Sequence, residues 1–71
     1  MHRQDMAVMR SDIRAGLSQE GKATVGFGGT PAEWRNIRAT IALWAKKNGK
    51  QVHIEFVKHS GWQELDVRVA S

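Results

Sequence analysis

Apolar and polar positions follow two different periods along this chain, and the period changes at glycines. From about Asp5 to Ser18 the apolar residues Met6, Met9, Ile13 and Leu17 recur every three or four positions, which places them on one stripe of an amphipathic helix. Arg3, Arg10 and Arg14 fall together beside that stripe, while Asp5 and Asp12 lie round the other side. Gly16 in the last turn costs roughly 1 kcal/mol relative to alanine, so the helix is expected to be short and to fray there. Two methionines at its heart favour adaptable packing. From Lys22 the period drops to two. Ala23, Val25 and Phe27 alternate with Lys22, Thr24 and Gly26, which predicts a short strand ending in Gly26-Phe27-Gly28-Gly29.

The clearest local signal comes next. Thr30-Pro31-Ala32-Glu33 sets a hydroxyl at the N-cap, proline at the first helical position and glutamate at N3, the capping-box arrangement that satisfies amides a helix start leaves unpaired. The helix it opens carries Trp34, Ile37, Ile41, Trp44 and Ala45 within a narrow arc. Lys46 and Lys47 suit its negative C-terminal end, and Asn48-Gly49 stops it. Ala39 and Leu43 fall on the opposite side. Leu43 is either an ordinary exposed apolar residue or a contact for the first helix or a second chain.

Two more alternating stretches complete the pattern. Val52, Ile54 and Phe56 alternate with His53, Glu55 and Val57, and Leu65, Val67 and Val69 alternate with Glu64, Asp66 and Arg68. A turn at Ser60-Gly61 would set Phe56 opposite Leu65, Ile54 opposite Val67 and Val52 opposite Val69. Every one of those apolar residues then lands on one face, and a one-residue slip would turn one strand's set into water. The predicted fold is α+β in the order helix, strand, helix, strand, strand. It is expected to be a small single-layer mixed sheet of about three strands with two helices on one face, residues 1–71 forming one domain. A right-handed crossover would make the first and second strands parallel, with the hairpin antiparallel.

Composition narrows the chemistry. Seventy-one residues leave room for one core, and with no cysteine neither disulfides nor a thiolate zinc site can support it. Three tryptophans supply dense packing and leave a homodimer open. The longest apolar run, Ile41-Ala42-Leu43-Trp44-Ala45, falls far short of the roughly 20 residues that span a bilayer. Arg3, Asp5 and Arg10 interrupt any apolar leader, so the expected location is cytoplasmic, without a membrane partner. The net charge of +4 and pI near 10.1 attract phosphate polyanions and also keep a small protein soluble. The cations gather on the helices: Arg3, Arg10 and Arg14 on the first, Arg35, Arg38 and Lys46 on the second, with Lys47, Lys50 and Lys58 expected to cluster near its C-terminal end and the following strand. Solvated helix flanks explain the same pattern.

Other constellations are thinner. Gly28, Gly29 and Thr30 lead from a strand into a helix N-terminus, an arrangement that can bind anions, although no lysine follows as in a nucleotide-binding loop and the dinucleotide fingerprint is incomplete. Gly26-Phe27-Gly28-Gly29 has the GxxG form of KH RNA-binding domains. In that family the loop joins two helices, whereas a strand precedes it here, so the assignment does not carry over. On the outer face of the hairpin Glu55 would oppose Asp66, with Glu64 nearby and Arg68 opposite His53, giving an acidic face whose two close carboxylates repel. His53, Glu55 and Asp66 as a metal or acid–base site is one reading, and solvated sheet residues or a face for a basic partner are simpler. Trp62 stands at the start of the last strand, where it either stacks on a base, anchors a protein or folds over the hairpin. Ser60 beside His59 lacks an orienting acid, so nucleophilic catalysis is not expected, and no cofactor or metal is expected. The expected function is a small nucleic-acid-binding or regulatory module that uses its helical face. The alternative is a protein-binding inhibitor or adaptor, homodimeric or not, that uses Leu43, Trp62 or the acidic sheet face.

Overall fold

A computed structural model describes residues 6–70. The elements run α1 (Met6–Glu20), β1 (Lys22–Phe27), α2 (Pro31–Asn48), β2 (Gln51–His59) and β3 (Trp62–Ala70). The α+β class, the three strands and the order of elements are those the periodicities predict. No helix among the described residues is long and apolar enough to cross a membrane.

The stripe Met9, Ile13 and Leu17 is buried, as the spacing requires, but α1 does not fray at Gly16 and continues to Glu20. The reason is tertiary. Gly21, at φ 74°, turns the chain back within one residue, so the last turns of α1 lie directly on the start of β1. A Cβ on residue 16 would sit 2.6 Å from the Lys22 carbonyl oxygen and 2.9 Å from the Ala23 Cβ, an approach open only to glycine. At α2 the capping box is present in full. The Thr30 hydroxyl accepts from the Glu33 amide at 3.2 Å and the Glu33 carboxylate accepts from the Thr30 amide at 3.3 Å. Gly49, in the left-handed region, ends the helix by donating to the Ala45 and Lys46 carbonyls.

The hairpin register is the predicted one, with Phe56 opposite Leu65, Ile54 opposite Val67 and Val52 opposite Val69. The sheet order is β1-β3-β2, and both pairings are antiparallel. This corrects the expectation of a mixed sheet. β1 and β2 do point the same way, but β3 lies between them and pairs with each. The inner position gives β3 a hydrogen-bonding neighbour on both sides, and Leu65 and Val67 become fully buried at the centre of the apolar face. A bond from the Val69 amide to the Gly21 carbonyl at 2.7 Å continues the β1–β3 side past the strand.

The core joins Met9, Ile13 and Leu17 of α1, Val25 and Phe27 of β1, Ile37, Ile41 and Trp44 of α2, and Leu65 and Val67 of β3. β2 contributes no fully buried residue. Along the row Val25–Leu65–Phe56, relative exposure runs from 4% through 0% to 48%, so the helical cover thins toward β2. Trp34, expected in the core, is only half-buried and meets Phe56 edge-on with ring centroids 4.8 Å apart.

Candidate nucleic-acid interface

Two cross-helix bonds fix how the cations are laid out. Arg10 Nη1 donates to Asn36 Oδ1 at 3.4 Å, and Trp44 Nε1 donates to Ser18 Oγ at 2.9 Å. The contacts advance together along both helices, so α1 and α2 lie side by side and run the same way. Arg10 and Arg14 therefore edge the seam with α2, Arg10 half-buried and Arg14 exposed. Arg35, Arg38, Lys46 and Lys47 are exposed along α2, and Lys50 follows in the turn to β2. From Arg35 to Lys46 the helix advances about 16 Å at 1.5 Å per residue.

The helices hold six lysines and arginines against three carboxylates, whereas the strands hold three against three. One of the helical carboxylates, Glu33, is engaged in the N-cap. Among the described residues the ion pairs are His53–Glu55 and His59–Glu64, both 3.2 Å and both on the sheet, and neither involves a lysine or arginine. The helical lysines and arginines thus form no ion pair among the described residues, and the helices keep an excess of positive charge, six cations against three carboxylates.

Two placements differ from the sequence reading. Lys58 does not join Lys47 and Lys50. It lies near the other end of β2, about 26 Å from Lys50 at 3.3 Å per residue, beside Gly28 and the hairpin turn. The outer sheet face is also of mixed sign rather than acidic. The sheet order sets Lys22 beside Arg68 and Arg68 beside His53, a basic row directly adjoining the row Thr24, Asp66 and Glu55. The hairpin register already sets Arg68 opposite His53, and the pairing of β1 with β3 adds Lys22. Arg3 lies outside the described residues.

The glycine loop does hold an anion, and the anion is the protein's own. Glu33 Oε2 accepts from the Gly28 amide at 3.3 Å, and Glu33 Oε1 accepts from the Thr30 amide at 3.3 Å and the Thr30 hydroxyl at 2.8 Å. A second carboxylate or phosphate at Gly28, Gly29 and Thr30 would have to displace Glu33. The capping box in the sequence was the signal for this outcome.

Trp62 folds over the hairpin. Its ring lies stacked on His59, centroids 4.0 Å apart and planes 9° from parallel, and rests over Gly26, where a Cβ would come within 3.2 Å of it. One side of the indole stays open, and the residue is 43% exposed. Leu43 is 65% exposed on α2.

His53, Glu55 and Asp66 line one shallow depression with Lys22, Thr24 and Arg68. His53 Nε2 lies 3.2 Å from Glu55 Oε1, and Thr24 Oγ1 donates to Asp66 Oδ1 at 2.7 Å. The Thr24 bond and the adjoining cations explain how two facing carboxylates are tolerated. The His53 and Glu55 side chains are more than half exposed, so the depression is open to water. No group of three or more histidine or acidic side chains among the described residues is placed to hold a metal ion. Comparison with protein-family models, curated proteins and solved structures returns no match.

Proposed function

We propose that this protein binds the sugar-phosphate backbone of nucleic acid through its helical layer. The observation that supports the proposal is the set of helical cations that form no ion pair among the described residues, Arg14, Arg35, Arg38, Lys46 and Lys47, with Lys50 beside them. A phosphate chain meeting that surface exchanges condensed counterions for fixed lysine and arginine charges, and the released ions drive association. Contacts of this kind set position and affinity without reading bases, so binding is expected to depend little on sequence. The sheet, with balanced charge and a carboxylate row at its centre, is the less favourable side for a phosphate backbone.

Anisotropy titrations with labelled duplex DNA, single-stranded DNA and RNA at several salt concentrations test the proposal. The logarithm of the binding constant should fall linearly with the logarithm of salt concentration, at about 0.9 per phosphate neutralised on duplex and about 0.7 on single strands. No binding at low salt, or a slope near zero, would overturn it. The adaptor reading draws on the exposure of Leu43, and a protein retained on the purified chain after nuclease treatment would favour it.

A further inference from the structure

β2 is a sheet edge whose one lysine, Lys58, lies near its end. Natural edges are shortened, bulged or interrupted by lysine or proline to stop them pairing with another chain. β2 is nine residues long, pairs with β3 without a bulge, and carries no lysine, proline or glycine from Gln51 to Val57. β1, the other edge, is six residues long, begins at a lysine and has a glycine inside it. The two-residue turn makes His59 and Trp62 a hydrogen-bonded pair. By alternation, Gln51, His53, Glu55 and Val57 direct their backbone groups to β3, and Val52, Ile54 and Phe56 direct theirs to the open side. The same three residues carry the apolar side chains that the helices leave only partly covered.

We propose that a second copy of this chain occupies that edge, β2 against β2 antiparallel, about a two-fold axis at Ile54. The strand is complementary to itself in this register and in no adjacent one. Centring on Ile54 sets Ile54 against the partner's Ile54, Val52 against the partner's Phe56, and His53 against the partner's Glu55, each unlike pair occurring twice by symmetry. Within one chain His53 and Glu55 already touch at 3.2 Å, so the four side chains would form an alternating ring on the outer face. Centring on Glu55 would oppose two carboxylates. Centring on His53 would oppose two imidazoles and set Glu55 against glutamine. The Ile54 register does place Lys50 against the partner's Lys58 at each end, where both reach water and the pairing stops. The axis is perpendicular to the sheet, so the product is a six-stranded antiparallel sheet with both helical layers on one side.

Because the chain has no cysteine, the register can be read by cross-linking. His53 and Glu55 are exposed, their side chains 52% and 60% accessible, so replacing either leaves the core intact. In the Ile54 register residue 53 faces residue 55 of the partner in a non-hydrogen-bonded pair, whose close Cβ atoms suit a disulfide. The experiment uses full-length, nuclease-treated protein without added nucleic acid, so its outcome is independent of the proposed function. Sedimentation of the wild-type chain should give twice the 8.0 kDa protomer mass as concentration rises. Oxidising a mixture of the His53→Cys and Glu55→Cys variants should give the mixed disulfide dimer at least about tenfold over either variant alone. A mass that stays at one protomer overturns the proposal. So does a dimer in which each variant links to itself as readily as to the other.

Discussion

Substituting Gly16 with alanine sets two effects of opposite sign against each other. Helix propensity alone favours alanine by about 1 kcal/mol in a helix interior. The packing of α1 on β1 opposes it, because the new methyl would meet the Lys22 carbonyl oxygen at 2.6 Å and the Ala23 Cβ at 2.9 Å. That carbonyl cannot easily move aside. Lys22 pairs with Arg68, and Gly21, one residue earlier, accepts from the Val69 amide at 2.7 Å. Forcing a methyl into a packed contact typically costs about 1–3 kcal/mol, and an obstacle made of backbone belongs at the upper end. The expected net effect of Gly16→Ala is a loss of about 1–2 kcal/mol, a fall in melting temperature of about 4–8 °C for each kcal/mol in a domain of this size. Urea and thermal unfolding followed by circular dichroism measure it, with Ala15→Gly as the control at an exposed neighbour. Both substitutions should lower stability. If Gly16→Ala raises the midpoint by as much as Ala15→Gly lowers it, propensity governs and the close approach of helix and strand is wrong.

Three other perturbations probe separate joints. Thr30→Ala removes the hydroxyl that accepts from the Glu33 amide and should cost about 1 kcal/mol, with hydrogen exchange quickening first at the start of α2. Ser18→Ala takes the acceptor from the Trp44 indole and should destabilise by about 1 kcal/mol in urea while shifting the tryptophan emission. Thr24→Val deletes the 2.7 Å bond to Asp66, leaving that carboxylate facing Glu55 without its hydroxyl donor. A stability loss of about 1 kcal/mol is expected, and the Thr24→Val/Asp66→Asn pair should cost less than the sum of the single changes.

What could be read from the chain was local or nearly so. The capping box is four consecutive residues, and the hairpin register follows from two alternating stretches joined by a two-residue turn. The identity of the central strand was not legible. Val52, Ile54 and Phe56 carry the same alternation as Leu65, Val67 and Val69, and only β1, distant in sequence, decides which set is covered. Gly16 looked like a weak point because its partner is a carbonyl six residues on, brought near by the turn at Gly21. The distance of Lys58 from Lys50 is legible in the chain, because the seven residues between them are extended strand. Arg68 opposite His53 follows from the hairpin register, whereas the place of Lys22 beside Arg68 is hidden for the same reason as the sheet order.

The salt dependence of nucleic-acid binding in two charge-neutralised variants tests the central claim most directly. Arg35→Gln/Arg38→Gln/Lys46→Gln strips exposed cations from α2, and Lys22→Gln/Arg68→Gln strips the basic row of the outer sheet face. On duplex DNA the helix variant should flatten the salt slope by about 2–3 and weaken binding alike on unrelated sequences, while the sheet variant keeps the wild-type slope. An unchanged slope in the helix variant, or an equal loss in the sheet variant, would contradict the assignment of binding to the helical layer.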